Sequence, residues 1–154
     1  METYKIAHFG TFDASELDSE IIAIYNNDLE TLKKLLGKKI NKIIKIKGKY
    51  TESFTPLEMA LYLNKKDIIK YLFENNASYK GKFHPKPIEI ALRCCDAETV
   101  LMFKNDLESM DEEKKAELLK TIFWGDNKAE NIEALESLGI TIAKYGGLML
   151  RYSA

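Results

Sequence analysis

The chain has 154 residues, 45% apolar and 31% charged, with a formal net charge of −1. That balance describes one globular domain with a core of its own and excludes a chain whose overall charge dictates its partner. No apolar run approaches the roughly 18 residues of a membrane span, and three Pro and eight Gly leave little room for a long linker or disorder.

The opening METYKIAHFGTFDASE places no apolar core behind a basic region, as a secretory leader would, so the cytoplasm is the expected compartment. Tyr4, Ile6, Phe9 and Phe12 are irregularly spaced and predict an extended segment covering one end of a helical stack. Asp13 or Ser15 can cap the next helix, whose apolar set is Leu17, Ile21, Ile22 and Ile24 and which Asn26-Asn27 breaks. DLETLKKLLG follows as a second helix, with Leu29, Leu32, Leu35 and Leu36 as its stripe and Gly37 as its stop. The segment KKINKIIKIKGKYTESF then alternates Ile44, Lys45, Ile46 and Lys47 before Gly48, which predicts a long hairpin.

Thr55 to Tyr79 carries the clearest local signals. Thr55 is suited to cap a helix, Pro56 to its first position, and Glu58 completes a possible capping box. Asn64 and Asn76 tolerate positive φ and can each end a helix. Two helices this short are not stable alone in water, so they need stacked neighbours.

Thr55, Pro56, Leu57 and Ala60 resemble the T-P-L-H-x-A opening of the ankyrin repeat. Asn64 stands where that family has its inter-helix Gly, and Ile68, Ile69, Leu72 and Phe73 fall on the apolar stripe of its second helix. Asn76-Ala77 replaces the closing Gly-Ala, and Glu58 stands where the family has His. Ala23 and Ala91 align with Ala60 at spacings of 37 and 31 residues, against about 33 in the family. The third repeat uses Lys86-Pro87-Ile88 for its opening and Asp96 to Phe103 for its second helix. Residues 104–112 are expected as loop and 113–124 as a helix, with a turn at Gly125-Asp126-Asn127 and a partner helix closed by Gly139.

The resemblance implies an all-α solenoid of helix–turn–helix units joined by hairpin loops. Its repeats span roughly 16–50, 51–82, 83–110 and 111–141, with terminal caps 1–15 and 142–154, in a single domain. It also implies a binding surface made of outward first-helix positions and hairpin tips. The helix positions are Tyr25 and Asn26, Tyr62 and Leu63, and Arg93 and Cys94. The hairpin positions are Thr51, Glu52 and Phe54, then Lys82, Phe83 and Pro85.

Candidate chemistry is sparse. His8 and His84 are the two imidazoles, and Cys94 and Cys95, being adjacent, cannot easily converge on one metal. There is no Gly-rich phosphate loop, no G-x-S-x-G and no H-E-x-x-H. Neither enzymatic activity nor any cofactor or metal is expected, a Cys-dependent enzyme being the remaining alternative. The Asp111-Glu112-Glu113 cluster reads as a helix start complementing the dipole.

Charge is distributed unevenly. Eight Lys and no acid lie between Lys33 and Lys49. These lysines either protect a solvated hairpin edge or steer an acidic partner, with Lys45, Lys47 and Lys49 at the centre. The run holds no Arg and lies between acidic ends, which argues against nucleic acid. The expected function is therefore non-enzymatic binding of another protein, with no membrane partner. One form is occlusion, as by a bacterial immunity protein that blocks a toxin. The alternative is an adaptor or scaffold subunit.

Overall fold

The computed structural model describes residues 2–6, 8–48, 50–79, 86–122 and 128–141, and the chain is mostly helical with two small two-stranded sheets. It divides into two compact units, Met1–Phe83 and His84–Ala154. Among the described residues no helix is long and apolar enough to cross a membrane.

The first unit opens with β1 (Thr3–Ile6) and β2 (Gly10–Asp13), an antiparallel hairpin pairing Tyr4 with Phe12. The expected extended segment is thus a hairpin, and its alternation is partial: Tyr4 and Ile6 are buried while Thr3 and Lys5 are exposed. His8 and Gly10 take positive φ at the turn. Asp13 does cap, but it caps a single 3-10 turn at Ala14–Glu16, accepting the Ser15 amide at 2.9 Å while Glu16 accepts the Asp13 amide at 3.1 Å. The helix itself, α1 (Ser19–Tyr25), begins later, behind Asp18. Leu17 lies ahead of it and bridges to Ile46 instead.

Helix α2 (Leu29–Leu36) is capped by Asp28, which accepts the Thr31 amide at 3.2 Å and the Thr31 hydroxyl at 2.6 Å. Leu32 and Leu36 are buried, whereas Leu35, expected in the stripe, is 37% exposed. Strands β3 (Ile44–Ile46) and β4 (Glu52–Phe54) form the expected long hairpin, with Ile44 and Ile46 buried and Lys45 exposed. The other edge of β3 is held by the chain before α1. The Asp18 amide donates to the Lys45 carbonyl at 3.2 Å, and the Lys47 amide to the Glu16 carbonyl at 2.6 Å.

Helices α3 (Pro56–Leu63) and α4 (Lys66–Glu74) follow. The capping box of α3 is complete: the Glu58 amide donates to Thr55 Oγ1 at 3.2 Å, and the Thr55 amide to Glu58 Oε1 at 2.9 Å. Helix α4 lacks a side-chain cap and depends on Ile68, Ile69 and Leu72, each with no exposed surface. Helix α3 packs on both α1 and α4.

The second unit contains α5 (Pro87–Cys94), α6 (Ala97–Leu101), α7 (Lys104–Ser109), α8 (Glu112–Ile122) and α9 (Lys128–Ser137). Helix α5 packs on α8, and α6 on α9. Helix α6 is shorter than expected, and α7 stands where a loop was predicted. Its one fully buried anchor is Leu107, too few apolar positions to give a periodic signal in KNDLES.

The helix ends share a device. At Asn27, Asn64, Asn76 and Gly139, φ is 55, 52, 61 and 82°. The following amide reaches back five residues each time: Asp28 to the Ala23 carbonyl (2.8 Å), Lys65 to Ala60 (3.0 Å), Ala77 to Leu72 (2.9 Å) and Ile140 to Leu135 (3.0 Å). Each closure satisfies an otherwise orphaned carbonyl of the last turn. Helix α5 ends without one, since Cys95 has φ −114°. There Asn131, on α9, donates its side-chain amide to the Leu92 and Cys95 carbonyls, both at 3.1 Å.

Candidate functional site

The lysine run of the first unit is not uniform in role. Lys42 pairs with the Glu20 carboxylate, whose side chain is 6% exposed. Lys47 lies 3.8 Å from Asp18, and the other Asp18 oxygen accepts the Lys45 amide at 2.9 Å. Lys33 sits 3.5 Å from Glu30 and 5.1 Å from the centre of the Tyr71 ring. These contacts fasten the hairpin and α2 to their own unit. Lys34, Lys38, Lys39 and Lys45 are exposed. Of the three lysines expected to face a partner, Lys45 is therefore outward, Lys47 is engaged by Asp18, and Lys49 lies outside the described residues.

The aromatic positions separate in the same way. Phe54, expected as a hairpin-tip anchor, is 5% exposed and cannot enter a partner's pocket without leaving its own core. Its ring meets Phe9 edge-on at 5.0 Å and Tyr62 at 5.9 Å. Phe9 also meets Tyr62 edge-on at 5.0 Å, and His8 lies 6.3 Å from Tyr62. Pairs of this geometry contribute about 0.5–1.5 kcal/mol each beyond their buried area. Tyr25 is half-buried against Tyr4, with centroids 5.0 Å apart, and Lys65 lies 5.8 Å from its ring centre. Tyr62 and Leu63 are half-buried, while Asn26, Thr51 and Glu52 are exposed. The two expected first-helix tyrosines are thus linked through the amino-terminal hairpin, a connection the sequence spacing did not reveal.

The exposed aromatic on this side is one the sequence reading did not select. Tyr50, between β3 and β4, is 77% exposed, and Ile43, just before β3, is 53% exposed. The signal was present in Gly-Lys-Tyr-Thr at a hairpin tip. Phe54, the aromatic expected at the tip, is turned inward by the strand pairing, opposite Ile44.

In the second unit Arg93 is exposed, as expected, but Cys94 is 8% exposed and faces the core beside the fully buried Cys95. Lys82, Phe83 and Pro85 lie outside the described residues, as does His84. A cleft of about 280 Å³ runs along α5 and α8, with Lys86, Lys114 and Lys120 set against Glu89 and Glu117. Its mixed charge gives it no single ligand preference.

Among the described residues, Asp28, Asp13 and Tyr4 have displaced titrations. The Thr31 hydroxyl and then its amide hold the Asp28 carboxyl below its ordinary value, and the Ser15 hydroxyl does the same for Asp13. The Tyr4 hydroxyl donates to Glu2 at 3.0 Å, which raises its pKa above the ordinary phenol value. All three are local capping or surface contacts rather than a cluster poised for proton transfer.

Compared with protein-family models, curated proteins and solved structures, the chain matches none.

Proposed function

We propose that the chain is an ankyrin-type repeat protein, acting in the cytoplasm, whose activity is to bind an acidic surface of another protein without catalysis. What carries this reading is the β3–β4 hairpin. Tyr50 is 77% exposed at its tip, and Lys45 is exposed on its strand. Exposed aromatics are the residues around which interfaces concentrate their energy, and unscreened lysines speed encounter with an acidic partner. Lys34, Lys38 and Lys39 add charge in the same unit. The repeat reading is supported by the α1/α2 and α3/α4 pairs, which turn at Asn27 and Asn64 with nearly equal φ. The binding surface is accordingly the hairpin, rather than the Phe54 and Tyr62 positions of the family template.

The test is comparative capture from the source cell with the immobilised chain, its Tyr50→Ala variant and its Lys38→Glu, Lys39→Glu, Lys45→Glu variant. A partner should be retained by the parent and lost by both variants. Equal retention by all three would remove the hairpin as the site.

An adaptor role has its own supporting observation. The unit Met1–Phe83 holds fourteen Lys against eleven carboxylates, whereas His84–Ala154 holds nine Lys and Arg against thirteen. Opposite balances suit two different partners. Simultaneous capture of two proteins through separate units would favour bridging over occlusion.

A further inference from the structure

The β3–β4 sheet has two edges, and the chain closes the one along β3. The Asp18 amide donates to the Lys45 carbonyl at 3.2 Å, the Lys47 amide to the Glu16 carbonyl at 2.6 Å, and the Lys45 amide to Asp18 Oδ2 at 2.9 Å. The backbone groups of Lys45 and Lys47 therefore point away from β4. Backbone direction alternates along a strand, so Ile44 and Ile46 point toward β4 and bond Phe54 and Glu52, their partners in register. Ser53, opposite Lys45, is left with its N–H and C=O directed out of the far edge. Among the described residues neither group meets a hydrogen-bond partner, and Ser53 is exposed.

An open strand edge is a template to which an extended segment of another chain adds. The side chains beside this edge state what that segment carries. Residues directly opposed in register share a face, so Lys45 and Ser53 lie together on the outward side of the sheet. Ser53 is short, and the Lys45 ammonium can extend over it to a strand added beyond. Among the described residues Lys45 has no ion-pair partner. Successive side chains of a strand alternate between faces, which puts Glu52 on the other face, exposed, where it repels an acid. The edge thus favours carboxylates on alternate residues of the added strand, on the Lys45 side.

We infer that the outer edge of β4 docks an extended acidic segment of another protein, which adds as a strand along Ser53 with its carboxylates toward Lys45, an inference that rests on the hairpin being the site for an acidic partner. The backbone supplies the register and Lys45 the choice of charge.

The probe is a short fluorescent peptide alternating valine and aspartate, titrated against the full chain, with hydrogen exchange followed at the Ser53 amide. The peptide should bind the parent, and a valine–lysine peptide of equal length should not. At saturation the Ser53 amide should exchange about tenfold more slowly than in the chain alone, the effect of one new hydrogen bond. Ser53→Pro removes the outward N–H at a place where an edge strand tolerates proline, and should weaken binding about tenfold. Lys45→Glu should weaken it as well, by a factor that shrinks as salt rises. Circular dichroism must show that Ser53→Pro keeps its helices, and should it unfold, exchange at Ser53 in the parent decides. No binding of the valine–aspartate peptide to the parent would overturn the inference, as would a folded Ser53→Pro chain that binds it like the parent. Binding that leaves Ser53 exchange unchanged would remove the edge while the acidic-partner reading stands. That reading fails separately, if capture of a partner survives Lys38→Glu, Lys39→Glu, Lys45→Glu. Protection of Ser53 that rises with chain concentration in the absence of peptide would also overturn the inference, since the occupant would then be a second copy's β4.

Discussion

Lys42 and Lys45 lie three residues apart in one lysine run, yet they should respond differently to removal. Lys42 pairs with Glu20, and the two side chains are 43% and 6% exposed. Two unit charges about 4 Å apart attract by about 4 kcal/mol at an effective dielectric of about 20. Water at the half-open lysine removes roughly half of that, by the weakness of solvent-accessible pairs. Breaking the pair also leaves a buried carboxylate uncompensated, which costs about 3–5 kcal/mol where burial is complete. Lys42→Met should therefore destabilise the first unit by about 2 kcal/mol. For a unit of 60–100 residues that lowers Tm by roughly 8–16 °C. Adding Glu20→Gln should recover more than half of the loss, because the stranded charge is removed along with its partner. Lys45→Ala should move Tm by less than about 0.5 kcal/mol equivalent, as exposed substitutions usually do. The assay is thermal and urea unfolding of the four proteins. Equal, small effects of Lys42→Met and Lys45→Ala would refute the division of the run into fastening and outward lysines.

Other substitutions test the local structure. Thr55→Ala should cost about 1 kcal/mol in urea unfolding, and Glu58→Ala added to it should cost less than it does in the parent, since the two make one capping box. Asn131→Leu should destabilise by about 2–4 kcal/mol, the loss of two hydrogen bonds to buried α5 carbonyls, with calorimetry as the check. Asp28 has a folded pKa below its ordinary value, so its stabilisation is present above the unfolded pKa of about 3.9 and is lost as pH falls through the folded value. Stability measured below about pH 4 should accordingly fall less steeply for Asp28→Asn than for the parent.

The first unit was the more legible in sequence because its signals are local. Thr55, Pro56 and Glu58 specify a helix start within four residues, and the Asn-ended helices specify their own stops. The alternation of Ile44 and Lys45 fixes the inward face of a strand in the same way. What escaped depends on long-range contact. Asn131 closes α5 from a helix some forty residues later, and nothing in NIEAL distinguishes a capping amide from a surface one. Phe54 and Tyr50 are both aromatics of one hairpin, and only the pairing register decides which of them is buried. Phe9 reaches Tyr62 across more than fifty residues, so the occupation of the helix face by the amino-terminal hairpin could not be read from spacing.

The most direct measurement is the association rate of the purified partner with the parent and with the Lys38→Glu, Lys39→Glu, Lys45→Glu variant at two ionic strengths. Exposed charges act over about 10 Å at 0.1 M salt and less above it. At low salt the variant should associate at least tenfold more slowly, and the difference should shrink toward the parent's rate at high salt, with dissociation little changed. Equal association rates at low salt would contradict a partner steered by Lys38, Lys39 and Lys45.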